Sequence, residues 1–276
     1  MEKSEKAKED HLIFRNYIET LQSKDNIEGT LLDNNIKLLK HAKHLTYLLK
    51  AISKVNYWKY VAPLEYEEDV DEAISKPFTE RAFAYELYHQ WRNILEEEQE
   101  KELILNGELS KKVSIFKGLS EIIKQEEDNN KDHIFPDLIL HEGFNPEQQV
   151  FVCEIKKEVP LNDSKVFYDL YKLCFLTNCD NYKFEYGIFI VVGKKLPETT
   201  DRSFSESFSE NFLNKEESFS KFFPQKSDAS SRKDFLKNVS EYIICISYYL
   251  PEVGQPKIEI RTLDQFLIQE NKSHHP

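Results

Sequence analysis

Apolar residues in the first part of the chain recur at steps of three and four positions. Between Asp10 and Asn56 this spacing is carried by Leu31, Leu32, Ile36, Leu39, Ala42, Leu45, Leu49 and Ile52. Such steps place side chains on one face of an α-helix, so the stretch predicts two amphipathic helices. After an acidic connector, TERAFAYELYHQWRNIL repeats the pattern and predicts a further helix with Thr79 as its N-cap.

The periodicity changes after Leu103, where short apolar runs alternate with turn residues. LILNGELSKKV predicts a strand or hairpin, and IFPDLILHEG and QQVFVCEIKKE predict two strands joined by a turn around Gly143–Pro146. VFYDLYKLCFLTN predicts a helix, and YGIFIVVG predicts a short apolar strand. The order of helix, three strands, helix and strand predicts an α/β fold in which the late helix crosses between strands of one sheet.

These patterns divide the chain into a helical N-terminal appendage, residues 1–75, and a core, residues 76–276. Within the core, a segment near residues 200–225 is biased toward Ser, Phe and Glu. Its phenylalanines Phe204, Phe208, Phe212 and Phe219 line one helix face, which predicts a packed insertion, with a partner-docking helix as the alternative. The last segments, FLKNVSEYIICISYYL and PKIEIRTLDQFL, predict a closing helix and strand.

The composition of the chain disfavours several classes of function. The 276 residues, 40% of them hydrophobic, are enough for a full core. No run approaches the roughly 20 apolar residues of a membrane span, so we expect a cytoplasmic protein without a membrane partner. The net charge of −12 argues against an extended grip on a polyanion but permits a local basic track. Neither a GxxxxGK[ST] loop nor a GxSxG elbow occurs, which disfavours nucleotide triphosphatases and serine hydrolases.

The candidate chemistry lies on the two strands of the predicted hairpin. Asp137 follows Pro136 at the start of one strand, and Glu154 and Lys156 stand two residues apart on the next. Residues two apart on a strand project from the same face. Pairing of the strands brings Asp137 toward Glu154, and the two carboxylates with the backbone carbonyl of Ile155 form an open oxygen site suited to Mg²⁺.

Lys156 beside such a site has two available roles. It can position or deprotonate the attacking water, or it can offset charge that develops on the phosphate oxygens. Neighbouring carboxylates keep a lysine protonated, which favours the electrostatic role. The alternative is that Glu154 and Lys156 form an ordinary ion pair on the protein surface. Such a pair contributes less than about 1 kcal/mol to stability.

FPDLILHEG followed by VFVCEIKKE resembles the PD-(D/E)xK nuclease superfamily, and in particular its bacterial members of restriction-endonuclease type. The resemblance covers about residues 79–192 and extends to TERAFAYELYHQW, LNGELSKK and DLYKL, which match the family's helix glutamate, first-strand glutamate and Asp-x-x-Lys-Leu helix. It implies a restriction-endonuclease-like mixed sheet flanked by helices, a Mg²⁺ or Mn²⁺ ion, and hydrolysis of phosphodiester bonds in DNA or, less often, RNA.

The resemblance also implies further site residues. The helix glutamate can be Glu80 or Glu86, which are about 120° apart around the helix. Glu80 lies near the centre of the inward stripe and at the helix start, so it is favoured, although a glutamate there also suits the helix dipole. Lys172 resembles the family's accessory lysine, with an ordinary surface charge as its alternative. Glu108 is either a supporting ligand or a structural acid.

Two functions follow as hypotheses. The first is a metal-dependent nuclease acting in defence or repair, with DNA favoured over RNA and Glu80, Asp137, Glu154, Lys156 and Lys172 as its catalytic residues. A homodimer is consistent with this function, because double-strand cutting needs two sites. The second is a catalytically inactive module of the same fold that binds protein or nucleic acid.

Overall fold

A mixed, open β-sheet forms the centre of the computed structural model, which describes residues 12–19, 27–28, 41–61, 80–107, 136–143, 149–157, 164–178, 184–197, 204, 206–208 and 229–267. Its strands are β1 (Ile27–Glu28), β2 (Leu103–Asn106), β3 (Leu138–Glu142), β4 (Gln149–Lys157), β5 (Phe184–Val192), β6 (Ile243–Tyr249) and β7 (Lys257–Thr262). They lie in the order β1-β7-β6-β5-β4-β3-β2. Six of them form the body of the sheet, and β1 adds a two-residue edge.

Helices cover both faces of this sheet. They are α1 (Ala42–Lys54), α2 (Tyr57–Tyr60), α3 (Glu80–Glu97), α4 (Ser164–Asn178), α5 (Ala229–Val239) and α6 (Asp264–Leu267), and residues 12–19 are also helical. Buried side chains of α1 and α3 share one core with Phe151 and Ile188, whereas those of α4 and α5 share another with Val152 and Phe189. Because neighbouring strand residues point to opposite faces, the sheet separates two apolar cores.

Strand β4 joins the antiparallel and the parallel parts of the sheet. It pairs antiparallel with β3 and parallel with β5, and β5 pairs parallel with β6. Parallel neighbours need a crossover connection, which α4 supplies between β4 and β5 and α5 supplies between β5 and β6. The two parallel pairings therefore bring the carboxyl ends of β4, β5 and β6 to one edge of the sheet.

The α/β class and the order of helix, three strands, helix and strand are confirmed. Two details of the prediction are wrong. Ile27–Glu28 lies within the stretch predicted as helical but pairs with β7, a long-range contact that local periodicity does not register. The segment predicted as a closing helix contributes only the end of α5 and then forms β6, all seven residues of which are buried. A strand buried on both faces has no alternation to reveal it.

Four residues of the Phe-rich segment, 204 and 206–208, are described, and the two phenylalanines among them are packed inside. Phe204 and Phe208 are buried, and their rings lie 5.9 and 5.6 Å from that of Phe167 on α4. Phe212 and Phe219 lie outside the described residues, as do Thr79, Glu108 and the predicted boundary near residue 75. None of the described helices is long and apolar enough to cross a membrane.

Candidate functional site

The carboxyl end of β4 collects charged side chains from three elements. Glu154 and Lys156 project from the same face of β4, as their two-residue spacing requires. The helix α4 packs on that face and brings Asp169 and Lys172, which are one turn apart. The first residue of α3, Glu80, reaches the same end of β4. Strand β4 and the helices α3 and α4 thus place five charged residues together.

These residues form a continuous chain of ion pairs. Lys172 Nζ lies 2.7 Å from Glu154 Oε1 and 3.3 Å from Asp169 Oδ1. The other oxygen of Asp169 lies 2.8 Å from Lys156 Nζ, which is also 3.4 Å from Glu80 Oε1. Glu80 further accepts a hydrogen bond from the backbone N–H of Lys157 at 3.3 Å. Each lysine therefore contacts two carboxylates.

Asp137 reaches the cluster from the neighbouring strand. Its backbone N–H donates to the carbonyl of Cys153 at 3.0 Å, and its Oδ2 accepts from the backbone N–H of Ile155 at 2.7 Å. In a strand the N–H and C=O of one residue face the same neighbour. The carbonyl of Ile155 therefore faces the side on which Asp137 lies.

Burial and like charge shape the titration of the carboxylates. Burial first, and the charge of Glu80 next among the raising effects, lift the pKa of Asp137 to about 6. Burial likewise raises the pKa of Glu154 well above its usual range, and the charges of Asp169 and Asp137 add to this while Lys172 opposes it. The cluster holds four carboxylates against two ammonium groups, so its fully ionised state has an excess of negative charge.

In the two lysines the surroundings favour the charged form, whereas in the carboxylates they disfavour it. Burial alone lowers the pKa of Lys156, but the charge of Asp169 and its hydrogen bond, together with Glu80 and Glu154, raise it above its ordinary value. The pKa of Lys172 is also raised, because Glu154 and Asp169 outweigh burial. Both side chains are therefore positively charged at neutral pH.

The donor set fits a hard divalent cation. Within the described part of the chain no three His, Cys, Asp or Glu side chains form a ready-made cation site. Mg²⁺, however, is commonly held by one or two carboxylates and keeps several waters, so Asp137, Glu154 and the carbonyl of Ile155 are sufficient. Glu154 Oε1 is fully buried and lies 2.7 Å from Lys172 Nζ, so a cation bound here shares the carboxylate of Glu154 with that ammonium group.

A cleft opens beside this cluster. It has a volume of about 330 Å³ and is lined by Glu80, Arg81, Ala84, Tyr85, Gly107, Asp137 and Leu138. The residues of α3 form one wall, and the ends of β2 and β3 supply the other. The cleft gives a ligand access to the carboxylates of Glu80 and Asp137.

All the residues selected from the sequence, Glu80, Asp137, Glu154, Ile155, Lys156 and Lys172, are at or beside this cluster. Of the two helix glutamates, Glu80 contacts Lys156, whereas Glu86 accepts a hydrogen bond from Gln90 on its own helix at 2.8 Å. Asp169 was not selected, although its Asp-x-x-Lys spacing with Lys172 places the two on one helix face. That spacing was the signal that could have identified it.

Comparisons of the chain with protein-family models, with curated proteins and with solved structures found no match.

Proposed function

We propose that the chain is a metal-dependent nuclease of the PD-(D/E)xK type with a restriction-endonuclease-like core. One observation carries the proposal: Glu154 and Lys156 of β4, Asp137 beside β3 and Glu80 of α3 belong to one charged cluster, and Glu80 and Asp137 of that cluster line a cleft. The order α3, β2, β3, β4, α4, β5 supports the proposed core, because it forms a mixed sheet flanked by helices and places the Asp-x-x-Lys-Leu motif on the helix after the Glu-x-Lys strand, as the resemblance implies.

Asp137, Glu154 and the carbonyl of Ile155 would hold Mg²⁺ or Mn²⁺. When bound, the ion supplies Lewis-acid stabilisation of the phosphate oxygens. The raised pKa values of both carboxylates support this assignment, since a nearby cation favours their charged forms and relieves the excess of negative charge.

Lys156 acts as a fixed positive charge in this proposal. Its raised pKa keeps the proton on Nζ, so the side chain opposes negative charge on the phosphate oxygens and does not remove a proton from water. Glu80 and Asp169 hold its ammonium group from two sides. In the reaction the oxygen of water forms a bond to phosphorus and a proton of water passes to solvent, while the bond to the leaving sugar oxygen breaks and that oxygen takes up a proton from solvent.

The direct test is cleavage of plasmid, linear DNA and single-stranded RNA in Mg²⁺ or Mn²⁺. We expect Lys156→Ala to reduce cleavage about 10²- to 10³-fold, because a preorganised charge at the reacting phosphate is lost. Lys54→Ala is a matched control, because Lys54 also lies 3.4 Å from a glutamate, Glu97, but on the surface. Cleavage by Lys156→Ala at the parental rate, or no cleavage by the parent in either metal, would contradict the proposal.

A catalytically inactive binding module is the second candidate. The contact of Lys172 with Glu154 at 2.7 Å favours it, because an ammonium group can neutralise that carboxylate in place of a metal. Calorimetric titration with Mg²⁺ separates the two functions. Binding of Mg²⁺ that Asp137→Asn abolishes supports the nuclease, and the absence of binding supports the module.

DNA as the preferred substrate, a cytoplasmic location and a homodimer stay predictions.

A further inference from the structure

The cleft beside the site is lined by two chemically different groups of side chains. Along α3, Arg81 and Tyr85 are exposed and stand one turn apart, so that both line the cleft. Tyr85 keeps 56% of its surface accessible, which is unusual for a large aromatic side chain. Glu80 and Asp137, which also line the cleft, belong to the charged cluster. A ligand in the cleft can therefore contact an aromatic ring and a guanidinium group as well as the two carboxylates.

The cleft is small in comparison with a nucleic-acid duplex. Its volume of about 330 Å³ lies at the lower end of the range for pockets that enclose a small ligand, roughly 300–1,000 Å³. A paired base is reached only through a groove and cannot lie flat on a side chain without leaving the stack. The size of the cleft therefore matches one nucleotide unit of an unpaired strand.

The net charge of the chain also favours a single strand over a duplex as the ligand. A protein that binds duplex DNA along its length neutralises many phosphates with Lys and Arg. This chain has a net charge of −12, and the ammonium groups of Lys156 and Lys172 each contact two carboxylates of the cluster. Binding through one stacked base and a few local phosphate contacts requires far less positive charge than a duplex footprint.

We propose that the cleft receives one nucleotide of a single-stranded nucleic acid, with its base stacked on Tyr85 and a phosphate on Arg81. The inference rests on the proposed nuclease function and names its substrate class: single strands or frayed ends, in preference to intact duplex. Aromatic rings accept any base through its π-face, and the planar guanidinium of arginine matches phosphate oxygens in a bidentate contact. The stacked nucleotide extends from α3 toward the carboxylates of Glu80 and Asp137.

The test measures binding separately from cleavage. Fluorescence anisotropy in Ca²⁺ compares labelled single-stranded DNA, single-stranded RNA and a DNA duplex of the same sequence. We expect at least one single strand to bind more tightly than the duplex and Tyr85→Ala to weaken that binding about tenfold. Tyr85→Phe retains the ring and should bind within about twofold of the parent, whereas Arg81→Ala should weaken binding and flatten its salt dependence.

Tyr242→Ala is the matched control. Tyr242 is 41% exposed and immediately precedes β6, at the end of the sheet opposite to the cleft. Its replacement should leave binding unchanged. The inference is overturned if the duplex binds as tightly as both single strands, or if Tyr85→Ala binds like the parent.

The two proposals fail in different ways. Cleavage that needs Lys156 but is indifferent to Tyr85 and to strandedness retains the nuclease and overturns the single-strand inference. Binding of a single strand that needs Tyr85, in a protein that cleaves nothing, retains the binding cleft and overturns the nuclease.

Discussion

Two strands of the sheet carry the same short pattern, a glutamate and a cation two residues apart, and use it differently. On β7, Glu259 and Arg261 form an ion pair with each other, and both are buried. On β4, Glu154 instead pairs with Lys172 of α4, and Lys156 pairs with Asp169 and Glu80. The ion pair of β7 lies within one strand, whereas the ion pairs of Glu154 and Lys156 involve two other elements.

The two pairs even occupy the same rows of the sheet. One row is Lys156, Val191, Ser247 and Glu259, and the other is Glu154, Phe189, Cys245 and Arg261. Residues paired in this way point to the same face. Position on the sheet therefore does not distinguish the two pairs. They differ in the balance of charge, because the pair on β7 has one acid and one base, whereas the cluster at the end of β4 has four acids and two lysines.

The largest expected effect concerns stability at the balanced pair. Arg261→Met removes the cation that forms an ion pair with the carboxylate of Glu259, which is 1% exposed. Arg261 also donates to the carbonyl of Pro197 at 2.7 Å, and this bond is lost as well. We expect the free energy of unfolding to fall by about 3–5 kcal/mol, measured by urea denaturation.

A surface pair supplies the control for this substitution. Arg92 lies 3.1 Å from Glu96 on α3 and is 45% exposed, so Arg92→Met should cost less than about 1 kcal/mol. At a temperature where both variants are folded, nucleic-acid cleavage should be unchanged. A loss below 1 kcal/mol for Arg261→Met would show that the β7 pair is not the structural element described above.

The next effect concerns activity at the unbalanced cluster. Asp169 is a positioning residue, because it holds the ammonium groups of Lys156 and Lys172 without facing the cleft. We expect Asp169→Asn to lower kcat about 10²-fold with little change in KM. Asp169 raises the pKa of Lys156, so the variant should also lose activity at a lower alkaline pH than the parent.

Asp234→Asn on α5 is the matched control, since Asp234 is exposed. It should leave both kcat and the alkaline limb of the pH profile unchanged. A fall in kcat for Asp169→Asn with an unaltered pH profile would indicate a general structural role instead of a role through Lys156.

Sequence reasoning found the part of the site that local patterns encode. Alternation around Phe151 and Cys153 predicts a strand, and a strand places Glu154 and Lys156 on one face. Asp169 was missed, because its contact with Lys156 exists only once α4 has packed on β4. The pair on β7 shows the same limit, since the patterns Glu-x-Lys and Glu-x-Arg do not reveal which of them is balanced by its neighbours.

The smallest effect is a gain in stability at the cleft. The pKa of Asp137 is about 6 against an ordinary value of 3.8, so its folded carboxyl binds a proton more tightly than the unfolded one. This favours folding below pH 4, and the advantage is lost as pH rises through about 6. Asp137→Asn removes the unfavourable charge while its amide oxygen can still accept from Ile155. Without divalent ions, we expect the variant to be about 2–3 kcal/mol more stable than the parent at pH 8.

The sign of this difference should depend on pH and on metal. Near pH 4 the parent is protonated at Asp137, so the two proteins should have the same free energy of unfolding. At pH 8, saturating Mg²⁺ should stabilise the parent but not Asp137→Asn, because the variant lacks one of the two carboxylates that would hold the ion. Urea denaturation at both pH values, with EDTA or Mg²⁺, measures all four conditions. A variant less stable than the parent at pH 8 in EDTA would mean that the cluster is balanced without a metal, as the pair on β7 is.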